Sequence, residues 1–148
     1  MGQQELVKIL RDLAATCRDA EEGFNKAAKG VHSDELRATF DAYSVERSHF
    51  ASELDEIIKQ HGGATSDAGH GSGPLRRGWR ELEARIRPKD DSEILLECAD
   101  GEESGVKHYD RAVTLDLPED VRRIIERQQQ SIQGAVNRLR ASARANVI

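Results

Sequence analysis

The stretch that decides the fold is CRDAEE at residues 17–22, because a closely related stretch, CADGEE, returns at residues 98–103. A pattern of cysteine, any residue, aspartate, a small residue and two glutamates that occurs twice suggests a duplicated helical hairpin. Each copy repeats one acidic position, Glu21 in the first and Glu102 in the second. The repeat therefore predicts two similar halves with a carboxylate at a matching place in each.

The composition favours one all-α domain over residues 1–148. Charged residues make up 33% of the chain, aromatic residues only 4%, and there are three prolines. This balance is typical of long helices rather than sheet. A chain of 148 residues also suits one domain with a sizeable core.

The charge balance and the apolar pattern exclude two classes of partner. A net charge of −5 is not typical of nucleic-acid binding, which needs a concentrated basic face. No apolar run approaches the ~18 residues of a membrane span, and residues 1–13 do not form a signal peptide. We therefore expect a cytoplasmic protein, without nucleic-acid or membrane partners, whose two cysteines are reduced thiols.

Helical periodicity predicts four long helices and one short one. Ser33 and Ser92 are the expected N-caps of the second and third long helices, and His61-Gly62-Gly63 is expected to end the second with glycine at the C-cap. Apolar residues recur at three- and four-residue steps in each long helix. The long helices are expected at about residues 3–29, 34–60, 92–115 and 118–143, and the short helix, which carries Trp79, at about 75–86.

The connections between the helices predict how they are arranged. Short turns within each pair make two antiparallel hairpins. The connection from Gly62 to Asp91 is long enough to run the length of a ~40 Å bundle, so the second and third helices can be parallel. Two hairpins joined by one long crossover predict the ferritin-like version of a four-helix bundle.

A polar residue near the midpoint of each long helix predicts a polar layer, and one interpretation of it is a metal site. Glu46 and His49 add an E-x-x-H pair on one helix, as in di-iron carboxylate bundles. Such a site needs oxygen ligands and imidazole around iron or another divalent metal. The ligands would be Glu21, Glu46, His49, Glu102 and Gln128, with Glu126 and Gln129 as alternates.

Several segments resemble a known family over nearly the whole chain. They are residues 17–24 with Ala27 and Ala28, Gly78-Trp79, Glu97-Cys98 with Gly101-Glu102, and residues 116–118 with Val121-Arg122 and residues 126–128. In them the chain is similar to a ferritin-like bacterial family, the domain of unknown function 2383. The resemblance implies the fold and no established catalytic activity. Analogy to the wider superfamily implies a metal-binding role in stress or iron handling.

A second interpretation of the polar layer needs no metal. The fourth helix has no histidine at the expected place, and the apolar stripe of the second helix centres on Arg47. An inward guanidinium could supply the positive charge that a metal would otherwise bring. The layer would then consist of Glu21, Arg47, Glu102 and Gln128. On this interpretation the chain is a non-enzymatic structural or partner-binding bundle without a cofactor, and the sequence leaves both hypotheses open.

Three valines lie off the main apolar stripes: Val7, Val45 and Val106. Ferritin-like bundles often associate through their outer faces. We therefore expect a homodimer or a larger homo-oligomer.

Overall fold

The computed structural model describes residues 1–65, Trp79 and residues 90–146, and these residues form helices and turns without a strand. None of the helices in this part of the chain is long and apolar enough to cross a membrane. The all-α four-helix bundle predicted from the sequence is confirmed. The short helix expected at about 75–86 lies outside the described residues, apart from Trp79. The helices are α1 (Gln3–Gly30), α2 (Asp34–Gln60), α3 (Asp91–Val113) and α4 (Glu119–Asn146).

The ends of α2 follow the sequence prediction. The Ser33 hydroxyl accepts a hydrogen bond from the backbone N–H of Leu36 at 3.2 Å, so Ser33 is the N-cap. After α2, Gly62 has a φ of 77° and its N–H donates to the carbonyl of Lys59 at 3.0 Å. Glycine enters this left-handed region without the steric penalty of a Cβ, which ends the helix at the predicted place.

The start of α3 corrects the sequence prediction. Asp90, not Ser92, is the N-cap, and its carboxylate accepts from the backbone N–H of Glu93 at 2.8 Å. A carboxylate at this position both accepts the hydrogen bond and places negative charge at the positive end of the helix dipole. The helix therefore begins at Asp91, one residue before the predicted start.

Contacts at the two ends of the bundle set the directions of the helices. The Asp91 carboxylate accepts from the backbone N–H groups of His32, at 2.8 Å, and Ser33, at 3.0 Å, which joins the start of α3 to the end of α1. At the other end, Nε of Arg11 in α1 donates to the carbonyl of Ala64, just after α2, at 2.7 Å. Because α2 ends at one end of the bundle and α3 starts at the other, the two helices run in the same direction.

Apolar packing and polar bridges hold different pairs of helices together. α1 packs against α2 and α3, and α3 packs against α4. Long polar side chains bridge α2 and α4: Ser131 donates to Glu46 at 3.0 Å, and Nε of Arg138 donates to the Tyr43 hydroxyl at 2.9 Å. Two apolar clusters fill the core. One holds Leu10, Leu54, Ile58 and Ile125, and the other holds Phe24, Phe40, Leu95 and Leu139.

Two of the three valines expected on outer faces are in the core. Val7 is 6% exposed and Val106 is 5% exposed, whereas Val45 is 55% exposed. α1, which carries Val7, and α3, which carries Val106, each contact two helices, so each buries a wider arc than a single apolar stripe. Of these three valines, Val45 alone remains for an outer contact.

Candidate functional site

A buried ion pair lies in the middle of the bundle and joins helices of different hairpins. Nη1 of Arg47, on α2, donates to Oε1 of Glu102, on α3. The two side chains are 1% and 2% exposed. Nε of Arg47 also donates to Oε1 of the half-buried Glu46 at 3.3 Å. The guanidinium of α2 is therefore held by carboxylates on two helices.

Aromatic rings cover the Arg47 guanidinium. Its central carbon is 5.5 Å from the centroid of the Phe24 ring and 5.9 Å from that of Phe50. At these distances the negative face of each ring attracts the cation. The rings therefore stabilise the guanidinium and shield it from bulk solvent.

Trp79 packs beside these aromatic rings in a space provided by glycines. Its ring centroid is 5.2 Å from that of Phe24. A Cβ atom added to Gly101 would lie 2.5 Å from Cε2 of Trp79, and one added to Gly23 would lie 2.1 Å from Cε3. Because real Cβ atoms do not approach other heavy atoms so closely, the indole needs glycine on both α1 and α3.

Charge and burial act in opposite directions on the ion pair. Burial alone lowers the pKa of Arg47, but the charge and hydrogen bond of Glu102 outweigh it, and the pKa of Arg47 is raised. Burial raises the pKa of Glu102, against the opposing effect of Arg47. The guanidinium is thus charged at neutral pH, and the carboxyl depends on it for compensation.

A chain of hydrogen bonds links one side chain from each helix. Tyr109 of α3 donates to Oε1 of Gln128 of α4 at 2.7 Å. Since the phenol has one proton, the Cys17 thiol of α1 is the donor in its 3.0 Å contact with the Tyr109 oxygen. Nε2 of Gln128 then donates to Oε1 of Glu53 of α2 at 2.9 Å. The chain runs from a fully buried thiol to a carboxylate near the surface.

The thiol and the phenol of this chain are both held in the protonated form. Burial raises the pKa of Cys17 to about 12, although the hydrogen bond with Tyr109 and the charge of Arg47 oppose the rise. Burial also raises the pKa of Tyr109 well above its ordinary value, and Cys17 adds to the effect. Because the thiolate is the reactive form of cysteine, this thiol packs and donates a hydrogen bond rather than acting as a nucleophile.

The structure brings together some members of the predicted polar layer. Arg47 and Glu102 form the ion pair, and the fully buried Gln128 joins the neighbouring hydrogen-bond chain through Tyr109. Glu21 is half-buried, and in the described part of the chain its carboxylate forms no ion pair with Arg47. The two carboxylates that match in the sequence repeat therefore have different environments.

The remaining residues of the predicted ligand set lie apart from the ion pair or at its margin. Glu46 lies at the margin of the ion pair, where its carboxylate accepts from Nε of Arg47. His49 is exposed in a surface groove between α2 and α4. Glu126 is half-exposed, and Gln129 donates to Oδ1 of Asp110 at 2.6 Å. Within the ranges 1–65 and 90–146, no three His, Cys, Asp or Glu side chains are grouped so that they could hold a metal ion.

Some buried polar residues were not singled out from the sequence. Asp19 and Glu97 are 5% and 8% exposed, although both belong to segments that were recognised as a repeat or a resemblance. The pairing of Cys17 with Tyr109 was also missed. Periodicity alone could not have found this pair, because the helical period assigns a face to each residue and not a partner.

Comparison with known proteins identifies a family. No curated protein matches the chain. The model of the family described as "Domain of unknown function (DUF2383)" matches residues 5–115. The match covers more than half of the chain and includes Arg47, Glu102 and the other residues of the ion-pair region. The chain therefore belongs to this family, the domain of unknown function DUF2383.

Proposed function

We propose that this protein is a ferritin-like bundle with a non-enzymatic structural or partner-binding role, in which a buried ion pair takes the place of a metal centre. One observation carries the proposal: the Arg47 guanidinium lies in the core and pairs with Glu102. The sequence predicted a candidate metal site at this same polar layer of the bundle.

The donor set around Arg47 does not fit a divalent metal ion. Such an ion needs several carboxylate or imidazole ligands directed at one point. Here a fixed positive charge already pairs with Glu102, and it would repel a metal cation. The histidine of the E-x-x-H pair, His49, is exposed and lies outside the core.

The ion pair suits a structural role because it forms only when Arg47 and Glu102 lie opposite each other. A buried ion pair gives little net stability compared with apolar side chains of similar volume, but losing one partner is costly. Only an alignment of α2 and α3 that brings Arg47 to Glu102 avoids that cost. The pair therefore favours one register of the two hairpins.

The directions of the helices support a ferritin-like arrangement. α2 and α3 run the same way, and a long connection joins them. One long crossover between two antiparallel hairpins is the connectivity of ferritin-like bundles.

Burial of the reactive groups supports the absence of catalysis at this site. Arg47 and Glu102 are almost completely covered, and the thiol of Cys17 is protonated at neutral pH. A substrate could reach none of these groups without the core opening. We therefore assign the functional contacts of the protein to its outer surface.

The metal content of protein purified without a tag tests the proposal. We expect substoichiometric iron, manganese and zinc, before and after reconstitution under reducing conditions. Stoichiometric metal that is lost in Glu102→Ala would overturn the proposal and favour a di-iron type site in stress or iron handling. Glu103→Ala is the matched control, since Glu103 is the exposed neighbour of Glu102 and pairs with Arg140 at the surface.

The assembly and location of the protein stay predictions. A homodimer or larger homo-oligomer, located in the cytoplasm of a bacterium and without nucleic-acid partners, is what the sequence favours. Sedimentation equilibrium would measure the assembly. A monomer at all accessible concentrations would contradict it.

A further inference from the structure

We propose that the core of this protein binds one water molecule between Nη2 of Arg47 and Oε2 of Glu102. The inference rests on the ion-pair core proposed above and assigns a ligand to it. It follows from counting the hydrogen bonds of the two charged groups.

Arg47 has a donor group that no atom of the described residues satisfies. Nε donates to Glu46 and Nη1 donates to Glu102. Phe24 and Phe50 lie near the guanidinium and offer ring faces rather than lone pairs. Nη2 is buried and has no hydrogen-bond partner among the residues that the structure describes. A buried charged donor in this state strongly favours an acceptor, because its interaction with bulk water has been lost.

Glu102 has a buried acceptor atom that lacks a donor in the described part of the chain. Its Oε1 accepts from Arg47, while its Oε2 is buried and has no partner in residues 1–65, Trp79 or residues 90–146. Oε2 shares a carbon atom with Oε1, and Nη2 shares one with Nη1. The two unsatisfied atoms therefore border the same ion pair.

The chemistry of the two atoms selects the ligand. It must accept a hydrogen bond from Nη2 and donate one to Oε2. A metal cation cannot accept, and an anion would be repelled by the carboxylate. The ligand must also be small, since the two side chains are 1% and 2% exposed in a packed core. Water meets each condition, and buried waters in proteins typically bridge such groups.

A direct two-fold contact is the competing explanation. If the guanidinium turned, Nη2 could donate to Oε2 while Nη1 donates to Oε1, and no water would be needed. The hydrogen bond from Nε to Glu46 and the rings of Phe24 and Phe50 restrain that rotation. These restraints favour the bridged arrangement.

A crystal structure of the wild-type protein at about 1.5 Å resolution distinguishes the alternatives, since water peaks are then well defined at hydrogen-bond distances of about 2.7–3.2 Å. We expect one peak within that distance of both Nη2 and Oε2. A two-fold direct contact without a peak, or a peak that touches one of the two atoms only, would overturn the inference and leave the ion-pair core intact. A metal ion bound to Glu102, identified by anomalous scattering, would overturn the proposed function as well.

The double variant Arg47→Met with Glu102→Leu is the matched control. It replaces both charged groups by apolar side chains of similar size, and apolar cavities of this kind stay dry. We expect no peak at the same place in its structure. A peak that persists there would mean that the two charged groups do not hold the water.

Discussion

Replacing Arg47 by methionine should destabilise the protein strongly, because it leaves Glu102 buried without a counter-charge. Glu102 is 2% exposed, and within the described part of the chain its Oε2 has no partner that could compensate. Removing one member of a buried ion pair costs about 3–5 kcal/mol. For a protein of this size, a loss of that kind lowers the melting temperature by roughly 10 °C. Methionine keeps much of the volume that packs against Phe24, so the loss reports mainly on charge.

Urea denaturation measures this effect with two independent probes. Circular dichroism at 222 nm follows the helices, and fluorescence follows Trp79, the single tryptophan, which packs in the core. The matched control is the double variant Arg47→Met with Glu102→Leu, which removes both charges. It should lie within about 1 kcal/mol of the wild type or be more stable. Equal destabilisation of the single and double variants would refute the reasoning and show that Arg47 stabilises the fold by packing.

The destabilisation of the single variant should depend on pH. Burial raises the pKa of Glu102, and removing Arg47 takes away the charge that opposes this rise. The folded state then retains a proton that the unfolded state loses above a pH of about 4.3. Stability is therefore greatest below that pH and falls as the pH rises through the folded-state pKa. Urea titrations at about pH 5 and about pH 8 should show the larger loss at the higher pH, and equal losses would contradict a buried carboxylate as the cause.

Three further substitutions test other contacts of the core and its ends. Gly101→Ala should cost about 1–3 kcal/mol and shift Trp79 fluorescence, because the new Cβ would lie 2.5 Å from the indole. Tyr109→Phe should cost about 1–3 kcal/mol in urea denaturation, since it leaves a buried donor and a buried acceptor without their partner. Asp91→Asn should cost about 1 kcal/mol at neutral pH, because the carboxylate accepts two backbone N–H groups. Burial raises the pKa of Asp91, but these hydrogen bonds outweigh it and the pKa is lowered, so the stability that Asp91 contributes is lost as the pH falls through the folded-state pKa.

Each of these three predictions has an outcome that would contradict it. Gly30→Ala is the control for Gly101→Ala, since its Cβ would lie at an ordinary 3.4 Å from Ile94, and equal effects would remove the glycine argument. An unchanged free energy of unfolding in Tyr109→Phe would show that the phenol is not needed in the hydrogen-bond chain. For Asp91→Asn, a cost that persists unchanged in acid would exclude the carboxylate charge as its source.

Local features of the sequence were sufficient to predict most of the helix boundaries. Ser33 and Gly62 act through groups a few residues away, so their positions in the chain determine what they do. The start of α3 shows the limit of this reasoning. Asp90 and Ser92 are both good N-caps, and Asp91 binds the backbone at the end of α1, which no local pattern reveals.

The polar layer was only partly predictable. The helical period placed Arg47 and Gln128 inward, and both are fully buried. The partner of Arg47 was not predictable in this way, because its guanidinium pairs with Glu102 of the other hairpin. The helical period assigns each residue to a face of its helix, but it does not determine which residue across the core will be its partner.

The sequence by itself determined that the chain forms long amphipathic helices with a repeated acidic position in each hairpin, because propensity, capping and periodicity act over a few residues. Only the tertiary structure decided that the two copies of the repeat differ. Glu102 is buried against Arg47, whereas the matching Glu21 is half-buried and outside the ion pair. One guanidinium on α2 pairs with one of these two carboxylates, and the packing of the hairpins selects Glu102.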